Sequence, residues 1–325
     1  MQDNTLEELL IREQIPYESD VDLKKKTWIH RGGRTEFFIM PNDISKLQII
    51  MSYLYTNNIR HLVVGATSNL FILNSTDIPV VISTLKCKSF EIKEGYIECD
   101  CGVLVSKLAY QMVNDGIKGF EYLTKLPGTI GGAICNNSSV KSQSNSITAL
   151  LVDFDIITPD GIKRLKVEDL HLTFRSSDLK KHLLHGTILR ARLKVNQGDS
   201  AEMRQIVQSN EVERHRILEG PTQNLGCTVH KMYCNGAMPR RYAIPYRLFQ
   251  KIISLVTKNM DRRKRMNKKF LLTISGHRAL LPYVSDKQLI TFIWRDERAD
   301  DYFYEYLAFM RDVCKTDQIE IEVIK

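Results

Sequence analysis

The sequence has no long hydrophobic run, since none of its apolar stretches approaches the roughly 20 residues that a membrane-spanning helix requires. Its opening stretch, MQDNTLEELLIREQIPYESD, is acidic and mixed, so it lacks the basic start and apolar segment of a secretory signal. It also has no low-complexity linker and no internal repeat. We therefore expect a cytoplasmic protein with no membrane as partner.

Cysteine is present, but not in the pattern of a disulfide framework or a zinc site. The seven cysteines are an odd number, and no two of them form a Cys-x-x-Cys pair; they stand at positions 87, 99, 101, 135, 227, 234 and 314. This pattern predicts reduced thiols, and it predicts no metal site. Most of these side chains are expected to serve as packing residues.

Motifs for nucleic-acid binding are lacking as well, since there is no helix-turn-helix signature and no RNA motif interleaved with aromatic residues. The net charge is nevertheless +8, which favours an anionic partner. Six basic residues are concentrated in DRRKRMNKK, residues 261–269. This stretch is interpreted as a solvated loop or helix end, with contact to a phosphate-rich ligand or to nucleic acid as the alternatives. Because the nucleic-acid motifs are lacking, we expect no nucleic acid as partner.

The composition is that of a globular protein, with 43% hydrophobic and 26% charged residues. A chain of 325 residues is long for one core and predicts two domains. Helical spacing predicts a helix capped by Asn42 or Asp43, with one apolar face made by Ile44, Leu47, Ile50, Met51 and Leu54. The same spacing predicts helices near residues 103–116, ended by Gly116, and 301–315. Pro159-Asp160-Gly161 predicts a hairpin turn between two strands. FLLTIS (270–275), QLITFIW (288–294) and the closing QIEIEVIK (318–325) suggest strands. Near residue 198 the strand patterns give way to a helical pattern, SAEMRQIVQSNEVERHRIL (200–218), followed by mixed helix and strand patterns. We place the domain boundary there.

Two segments rich in small residues are the first indication of chemistry. They are GATSN at residues 65–69 and PGTIGG at residues 127–132. Turns of this kind can present backbone N–H groups to phosphates. Neither matches the P-loop or the dinucleotide fingerprint, so each taken alone remains either a structural turn or a phosphate loop. Together they could hold the two phosphates of a dinucleotide.

The segments surrounding these turns follow a recognisable order. VVGATSNLFI resembles a Gly-x-Gly-Ser-Asn-Leu-Leu turn, and LPGTIGGAICNN resembles a more specific block, Pro-Gly-Thr-(Val/Ile)-Gly-Gly-Ala…Asn. LTFRSSDL resembles a Tyr-Arg-x-Ser segment, LGCTVHK resembles Gly-Ser-x-Phe-Lys, and IEIEVIK resembles a closing Leu-Glu-x-Glu-Val. In this order the motifs resemble those of the UDP-N-acetylenolpyruvoylglucosamine reductase family, over about residues 27–325.

The resemblance implies an α+β fold. It implies a two-part FAD-binding domain of the PCMH/vanillyl-alcohol-oxidase type at residues 20–198 and a smaller α+β substrate domain at residues 199–325. It implies FAD and NADPH as cofactors. The implied substrate is an anionic nucleotide-sugar, UDP-N-acetylglucosamine enolpyruvate or a close relative, which would be reduced to UDP-N-acetylmuramate or its counterpart.

The resemblance also assigns residues to FAD. The predicted cofactor-binding positions are Gly65, Thr67, Ser68, Asn69, Leu70, Pro127, Gly128, Thr129, Gly131, Gly132, Ala133 and Asn137. Glycines in these turns would let the backbone approach the pyrophosphate. The chain departs from the family pattern after Asn137, where Ser-Ser-Val-Lys replaces the expected Ala-Gly-Ala-Tyr-Gly.

The resemblance also implies catalytic roles for three residues of this chain. Arg175 would clamp the substrate carboxylate with its bidentate guanidinium, and Glu322 would assist with protonation or polarisation. Cys227 stands where the family commonly has a proton-donating Ser, and a free thiol is mostly protonated at pH 7 and more acidic than a hydroxyl. The alternatives are a surface ion pair for Arg175, a buried packing thiol for Cys227 and a solvated strand face for Glu322.

Two other functions stay open at this point. One is an FAD-dependent oxidase of the same superfamily acting on another substrate. The other is a non-catalytic scaffold that keeps the flavin-binding fold, which the altered residues after Asn137 would favour. Retention of an arginine, a thiol and an acid at the three catalytic positions favours the reductase.

Overall fold

The computed structural model of the chain describes residues 5–140, 142–220, 223–229, 238–316 and 318–325. Its helices are α1 (Leu6–Arg12), α2 (Ile44–Thr56), α3 (Val105–Asn114), α4 (Ile130–Cys135), α5 (Ile147–Leu150), α6 (Ser200–Ile217), α7 (Arg240–Val256), α8 (Met260–Ile274) and α9 (Ala299–Asp312). Its strands are β1 (Tyr17–Asp22), β2 (Arg34–Ile39), β3 (His61–Val64), β4 (Leu70–Ile72), β5 (Asp77–Ser83), β6 (Phe90–Lys93), β7 (Tyr96–Asp100), β8 (Ser139–Val140), β9 (Ser142–Ser146), β10 (Leu151–Thr158), β11 (Gly161–Lys166), β12 (Thr187–Lys194) and β13 (Glu322–Ile324).

These elements form two compact units. Unit 1 contains the described residues up to Leu23, together with Gly32–Thr67 and Asn74–Glu211. Unit 2 contains Lys24–Arg31, Ser68–Leu73 and the described residues from Val212 onward. Each unit has its own cluster of buried apolar side chains. The division into an FAD-binding domain at 20–198 and a substrate domain at 199–325 stays a prediction.

Unit 1 is built on two larger sheets. The first has four strands in the order β1-β2-β5-β3, with β1 antiparallel to β2 and the other neighbours parallel. The second has five antiparallel strands in the order β11-β10-β12-β7-β6. The predicted Pro-Asp-Gly hairpin is confirmed, because Thr158 pairs with Gly161 where β10 turns into β11.

Helix α2 shows how sequence spacing fixes a core face in unit 1. The predicted face is buried in full: Ile44, Leu47, Ile50, Met51 and Leu54 are each at most 3% exposed. Asp43, one of the two predicted caps, accepts a hydrogen bond from the Lys46 N–H at 2.8 Å. Helix α3 ends where predicted, with Gly116 in the left-handed region at φ +76°.

Unit 2 has a core dominated by aromatic rings. Phe71 on β4 lies 5.0 Å from the ring of Phe303 on α9 and 5.2 Å from the ring of Trp294. Phe292 lies within the same cluster, 4.9 Å from Trp294. The only strand pair named in this unit's described residues is parallel and joins β4 to β13, with Leu70 opposite Glu322. The predicted closing strand is therefore confirmed, over Glu322–Ile324.

Two predicted strands in unit 2 are wrong. FLLTIS continues helix α8, because Asn259 caps a basic helical run whose spacing places Leu271 and Leu272 in the core. QLITFIW is an irregular segment with isolated bridges at Phe292 and Ile293. Short apolar runs fit a buried helix turn as well as a strand, so periodicity does not distinguish them. Among the described helices, none has the length and apolarity needed to cross a membrane.

Candidate active site

The two small-residue turns meet within unit 1. A side-chain Cβ on Gly65 would lie 2.3 Å from Thr129 Oγ1 and 3.1 Å from Thr129 Cγ2, so no residue larger than glycine fits there without movement. Gly128 has φ +114° and Thr67 has φ +53°, both in the left-handed region. The sequence suggests that the two turns act together on one ligand. The structure places Gly65 of the first turn against Thr129 of the second.

The second turn opens helix α4 and satisfies much of its own backbone. The N–H of Ile130 donates to Val103 O at 2.9 Å, and the N–H of Gly131 donates to Cys101 O at 2.9 Å. Thr129 is the helix cap, and its hydroxyl accepts from the Gly132 N–H at 3.4 Å. These three N–H groups therefore have partners within the chain, and a phosphate at this turn would have to share them or use neighbouring groups.

Asn137 holds the loop that follows α4. Its backbone is left-handed at φ +43°, and its side chain is 3% exposed. The side-chain amide donates to Thr173 O at 2.7 Å, and its carbonyl accepts from the Thr148 hydroxyl at 2.6 Å. Asn137 thus connects the α4 loop to the segment that carries the predicted catalytic arginine.

Arg175 lies on a tight turn of that segment. Thr173 and Ser176 exchange backbone hydrogen bonds of 3.0 and 3.2 Å across the turn. Arg175 itself has φ +54°, which is uncommon for a residue with a side chain and is often seen at functional sites. Its half-buried guanidinium lies 5.9 Å from the centre of the Phe174 ring. Ser177 fastens the turn to α4 by donating to Cys135 O at 2.6 Å.

A cavity of about 340 Å³ opens beside this turn. Asn137, Thr148, Thr173 and Phe174 are among the residues that line it. The volume is at the lower end of the range for small-molecule pockets. Phe174 is 52% exposed, so it contributes an accessible aromatic face. Unit 1 therefore brings Asn137 to a cavity that is also lined by Thr173 and Phe174, the two residues that precede Arg175.

In unit 2 the remainder of the first turn meets the predicted catalytic glutamate. The N–H of Glu322 donates to Asn69 O at 2.9 Å, and this bond opens the parallel pairing of β13 with β4. Asn69 donates from its side-chain amide to Glu320 O at 3.3 Å. Glu322 is half-buried. Three predicted site residues, Asn69, Leu70 and Glu322, are therefore neighbours.

The loop with Cys227 joins the same arrangement through the backbone of Glu320. The Glu320 N–H donates to Thr228 O at 3.0 Å, while its carbonyl accepts from Asn69. Thr228 is fully buried, and its hydroxyl accepts from the Phe292 N–H at 3.0 Å. Its neighbour Cys227 is half-buried. The continuation of LGCTVHK at residues 230–231 lies outside the described residues.

Two side chains near Cys227 were not predicted from the sequence. The Cys227 thiol donates to Gln288 Oε1 at an Sγ to Oε1 distance of 3.8 Å. Arg214 on α6 is in electrostatic contact with Cys227: burial lowers the pKa of its guanidinium, and Cys227 opposes that shift. Gln288 lies in a segment that had been interpreted as a strand, so nothing in the sequence marked it.

The described residues fit a dinucleotide cofactor at the first turn. Gly65 lets this turn pass close to Thr129, since an added Cβ would lie 2.3 Å from Thr129 Oγ1. The left-handed Thr67 is the conformation in which successive N–H groups of a turn converge on an anion. At the second turn only Gly128 has a comparable backbone conformation, at φ +114°. Within the described residues, no group of three or more His, Cys, Asp or Glu side chains is arranged to hold a metal ion.

Comparison with known proteins defines the class first. Residues 35–166 match the family model described as FAD binding domain, and this range contains both turns. The chain is therefore a flavoprotein, as predicted.

Its relatives define the family. The chain is 31% identical over 216 residues to UDP-N-acetylenolpyruvoylglucosamine reductase from Prochlorococcus marinus, covering 66% of this chain and 72% of the relative. It is 27% identical over 210 residues to the enzyme of the same name from Caldicellulosiruptor saccharolyticus, covering 64% of this chain and 66% of the relative. The chain belongs to the UDP-N-acetylenolpyruvoylglucosamine reductase family.

A solved structure agrees in fold. The crystal structure of UDP-N-acetylenolpyruvylglucosamine reductase from Thermus caldophilus superposes with a TM-score of 0.67 at 19% identity, covering 96% of this chain and 100% of that one. The predicted family, the α+β fold and FAD as cofactor are thereby confirmed. The sequence matches span about two thirds of the curated relatives' length.

The individual site residues stay predictions, although their positions are now known. Leu70 begins β4 with 8% exposure, and Ala133 is 3% exposed inside α4, so both are packed in the protein core. Arg175 belongs to unit 1, whereas Cys227 and Glu322 belong to unit 2. The structure brings the segments of Cys227 and Glu322 together through Glu320, and it brings Arg175 and Asn137 together through Thr173.

Proposed function

We propose that this protein is an FAD-dependent reductase that uses NADPH to reduce the enolpyruvyl group of UDP-N-acetylglucosamine enolpyruvate, or of a closely related nucleotide-sugar. One observation carries the proposal. The turn predicted to bind FAD, the predicted acid and the loop of the predicted proton donor are hydrogen-bonded neighbours, through Asn69, Glu320 and Thr228. Family membership supports the same activity, since the relatives carry that name.

Arg175 is assigned to the substrate carboxylate. Bound FAD would supply the hydride that adds to one carbon of the enolpyruvyl double bond. Negative charge then develops on the carboxylate, and a guanidinium can stabilise it with two parallel hydrogen bonds. The turn between Thr173 and Ser176 fixes the arginine backbone before substrate arrives, which reduces the cost of ordering it.

Cys227 is assigned to the proton that completes the reaction. Its thiol would donate to the carbon next to the one that accepts the hydride, so that both carbons of the double bond become saturated. Gln288 accepts from the thiol and thereby keeps the proton on a defined side of sulfur. Glu322, held beside Asn69 by its own N–H, would polarise the substrate during this transfer.

A stopped-flow experiment tests the activity. The protein is mixed anaerobically with NADPH while flavin absorbance is followed, and UDP-N-acetylglucosamine enolpyruvate is then added. We expect the flavin colour to bleach and then to return rapidly. Bleaching without recovery would show that the substrate assignment is wrong, and an absence of bleaching would exclude NADPH as the reductant.

Substitution of Cys227 tests the proton donor. Cys227→Ser should retain appreciable turnover, because a hydroxyl can replace the thiol as donor. Cys227→Ala should leave flavin reduction by NADPH intact and stall reoxidation by substrate.

Cys135→Ala provides the matched control, because Cys135 is also a half-buried free cysteine but lies at the end of α4. We expect it to reoxidise at the wild-type rate. If Cys227→Ala reoxidises as fast as this control, Cys227 has no part in the reaction.

A further inference from the structure

The positive charge of the chain is concentrated in one helical hairpin. Residues 238–276, which include α7 and α8, contain eleven Lys and Arg and a single Asp. The whole chain has 46 Lys and Arg against 38 Asp and Glu, so the remainder of the protein is slightly acidic. The residues assigned to FAD and catalysis lie outside this hairpin.

Helix α7 of the hairpin also exposes a row of large aliphatic side chains. Ile244, Leu248, Ile252 and Leu255 recur at helical spacing, so they form one stripe along the helix. Their exposures are 66%, 60%, 49% and 87%. Such a contiguous row on a surface is a mark of an interaction site, whereas single exposed apolar residues are ordinary.

The exposed row is not needed to hold the hairpin together. The opposite side of α7 packs inward, where Ile253 is 4% exposed and Ala243 is 8% exposed. The two helices of the hairpin are joined by stacked rings of Phe249 and Phe270, whose centres lie 4.0 Å apart. Arg263 also donates to the backbone at the end of α7, to Ser254 O at 2.9 Å. Helix α7 is therefore apolar on two sides, and only one of them is used for packing within the described residues.

Basic side chains run beside the aliphatic row. Arg240, Arg247 and Lys251 are exposed and recur at the spacing of a second stripe on α7. At the end of the hairpin, Val256 and Met260 extend the exposed apolar surface, at 66% and 58%. An aliphatic stripe next to a basic stripe is the pattern of helices that lie in the plane of a membrane interface.

We propose that the α7–α8 hairpin docks on an anionic lipid bilayer. The aliphatic row enters the boundary between headgroups and acyl chains, and the adjacent arginine and lysine side chains contact lipid phosphates. The helix stays parallel to the surface and does not cross the bilayer. Such docking requires no membrane-spanning helix, and none is found among the described helices.

Charge and shape favour a bilayer over other anionic partners. Nucleic acids would use the basic stripe but leave four aliphatic side chains in water. An acidic protein that binds an amphipathic helix receives its apolar face in a groove, whereas the aliphatic row and the basic stripe of α7 lie side by side on one exposed surface. A flat surface needs one side only.

Vesicle flotation with the full, FAD-loaded protein tests the proposal. We expect binding to phosphatidylcholine vesicles that contain phosphatidylglycerol, much weaker binding to pure phosphatidylcholine, and weakening by salt. Leu248→Ser with Leu255→Ser should reduce the partition coefficient by about tenfold or more. Arg247→Gln with Lys251→Gln should reduce it by about fivefold for each charge removed.

Matched controls come from an exposed loop of unit 1. Leu183 is 71% exposed and Lys181 is exposed, so Leu183→Ser and Lys181→Gln make the same chemical changes on another surface. These controls should bind vesicles like the wild type, and all variants should keep wild-type flavin content and NADPH turnover.

Three results would overturn the proposal. The first is no flotation with anionic vesicles at low salt. The second is equal loss of binding in the leucine variant and its Leu183→Ser control, or no loss in either, since adsorption would then not involve the aliphatic row. The third is retention by DNA or by an acidic polypeptide in a buffer where the vesicles are not bound.

Discussion

The two small-residue turns of unit 1 have similar compositions but different backbones. At the first, Gly65 is followed by the left-handed Thr67. At the second, the N–H groups of Ile130 and Gly131 are bound to the carbonyls of Val103 and Cys101. Small residues in the first turn thus shape a curved backbone, whereas those in the second let a helix start close to a neighbouring segment.

This difference shows that a glycine-rich block has two possible physical causes that sequence does not separate. Gly65 and Gly131 are required by close neighbours, Thr129 and Cys101. Gly132 has only one near atom, Thr129 Oγ1 at 3.4 Å from an added Cβ. If a cofactor phosphate needs the backbone at this turn to be bare, Gly132 is the position where the requirement can be seen without interference from packing.

The largest effect is expected for Gly65→Ala. The new Cβ would lie 2.3 Å from Thr129 Oγ1, so the two turns must separate. We expect a loss of about 2–3 kcal/mol in the free energy of unfolding, in the range for overpacking, and weaker FAD binding. Denaturant unfolding and flavin fluorescence titration measure the two effects.

A double variant tests whether contact with Thr129 is the cause. Thr129→Ala alone should cost about 1 kcal/mol through the lost helix cap. Combined with Gly65→Ala it should cost less than the sum, because the clashing hydroxyl is gone. If the stability loss of the double variant equals the sum of the two single losses, the clash with Thr129 is not the cause. Gly220→Ala, where an added Cβ meets nothing within 4 Å, is the control and should stay within about 0.5 kcal/mol of wild type.

A smaller effect is expected for Gly131→Ala. The added Cβ would lie 3.1 Å from Cys101 Cβ and 3.3 Å from Cys101 O, in a segment that is 2% exposed. Helix propensity offsets part of the strain, because alanine is favoured over glycine by about 0.5–1 kcal/mol. We expect a net loss of about 1 kcal/mol in thermal or denaturant unfolding. If Gly131→Ala is as stable as the wild type, the segment with Cys101 can move away from the added Cβ at little cost.

The smallest change in stability is expected for Gly132→Ala, which should be neutral or stabilised by up to about 1 kcal/mol. Its FAD affinity should nevertheless fall, because the resemblance assigns the bare backbone here to the pyrophosphate. Flavin titration beside an unfolding curve separates the two quantities. Unchanged affinity would remove Gly132 from the cofactor site and leave the first turn as the main phosphate contact.

Much of unit 1 could be predicted from the sequence. The face of α2, the end of α3 and the hairpin at Thr158–Gly161 follow from local spacing and turn chemistry, and all three are confirmed. The family and the FAD domain could be predicted because one block, residues 127–133, is specific enough to anchor the weaker motifs around it.

Unit 2 was harder because its contacts are not local. Segment 68–73 belongs to this unit although it lies between two strands of unit 1 in sequence, and no compositional change marks it. Gln288 meets Cys227 across a long stretch of chain. The sequence of helix α8 suggests a loop or helix end followed by a strand, because its first half is basic and its second half is apolar. This division conceals the single helical face that contains Lys268, Leu271 and Leu272.

The pairing of β4 with β13 has a consequence for how the protein is made. Asn69 and Glu320, which this pairing brings together, are 251 residues apart. Ribosomes deliver residue 69 long before residue 320, and closing so long a loop is slow. The sheets of unit 1 can form during translation, whereas the strand after the first turn must wait for its partner. Nascent chains are therefore expected to gain tight flavin binding only late in biosynthesis.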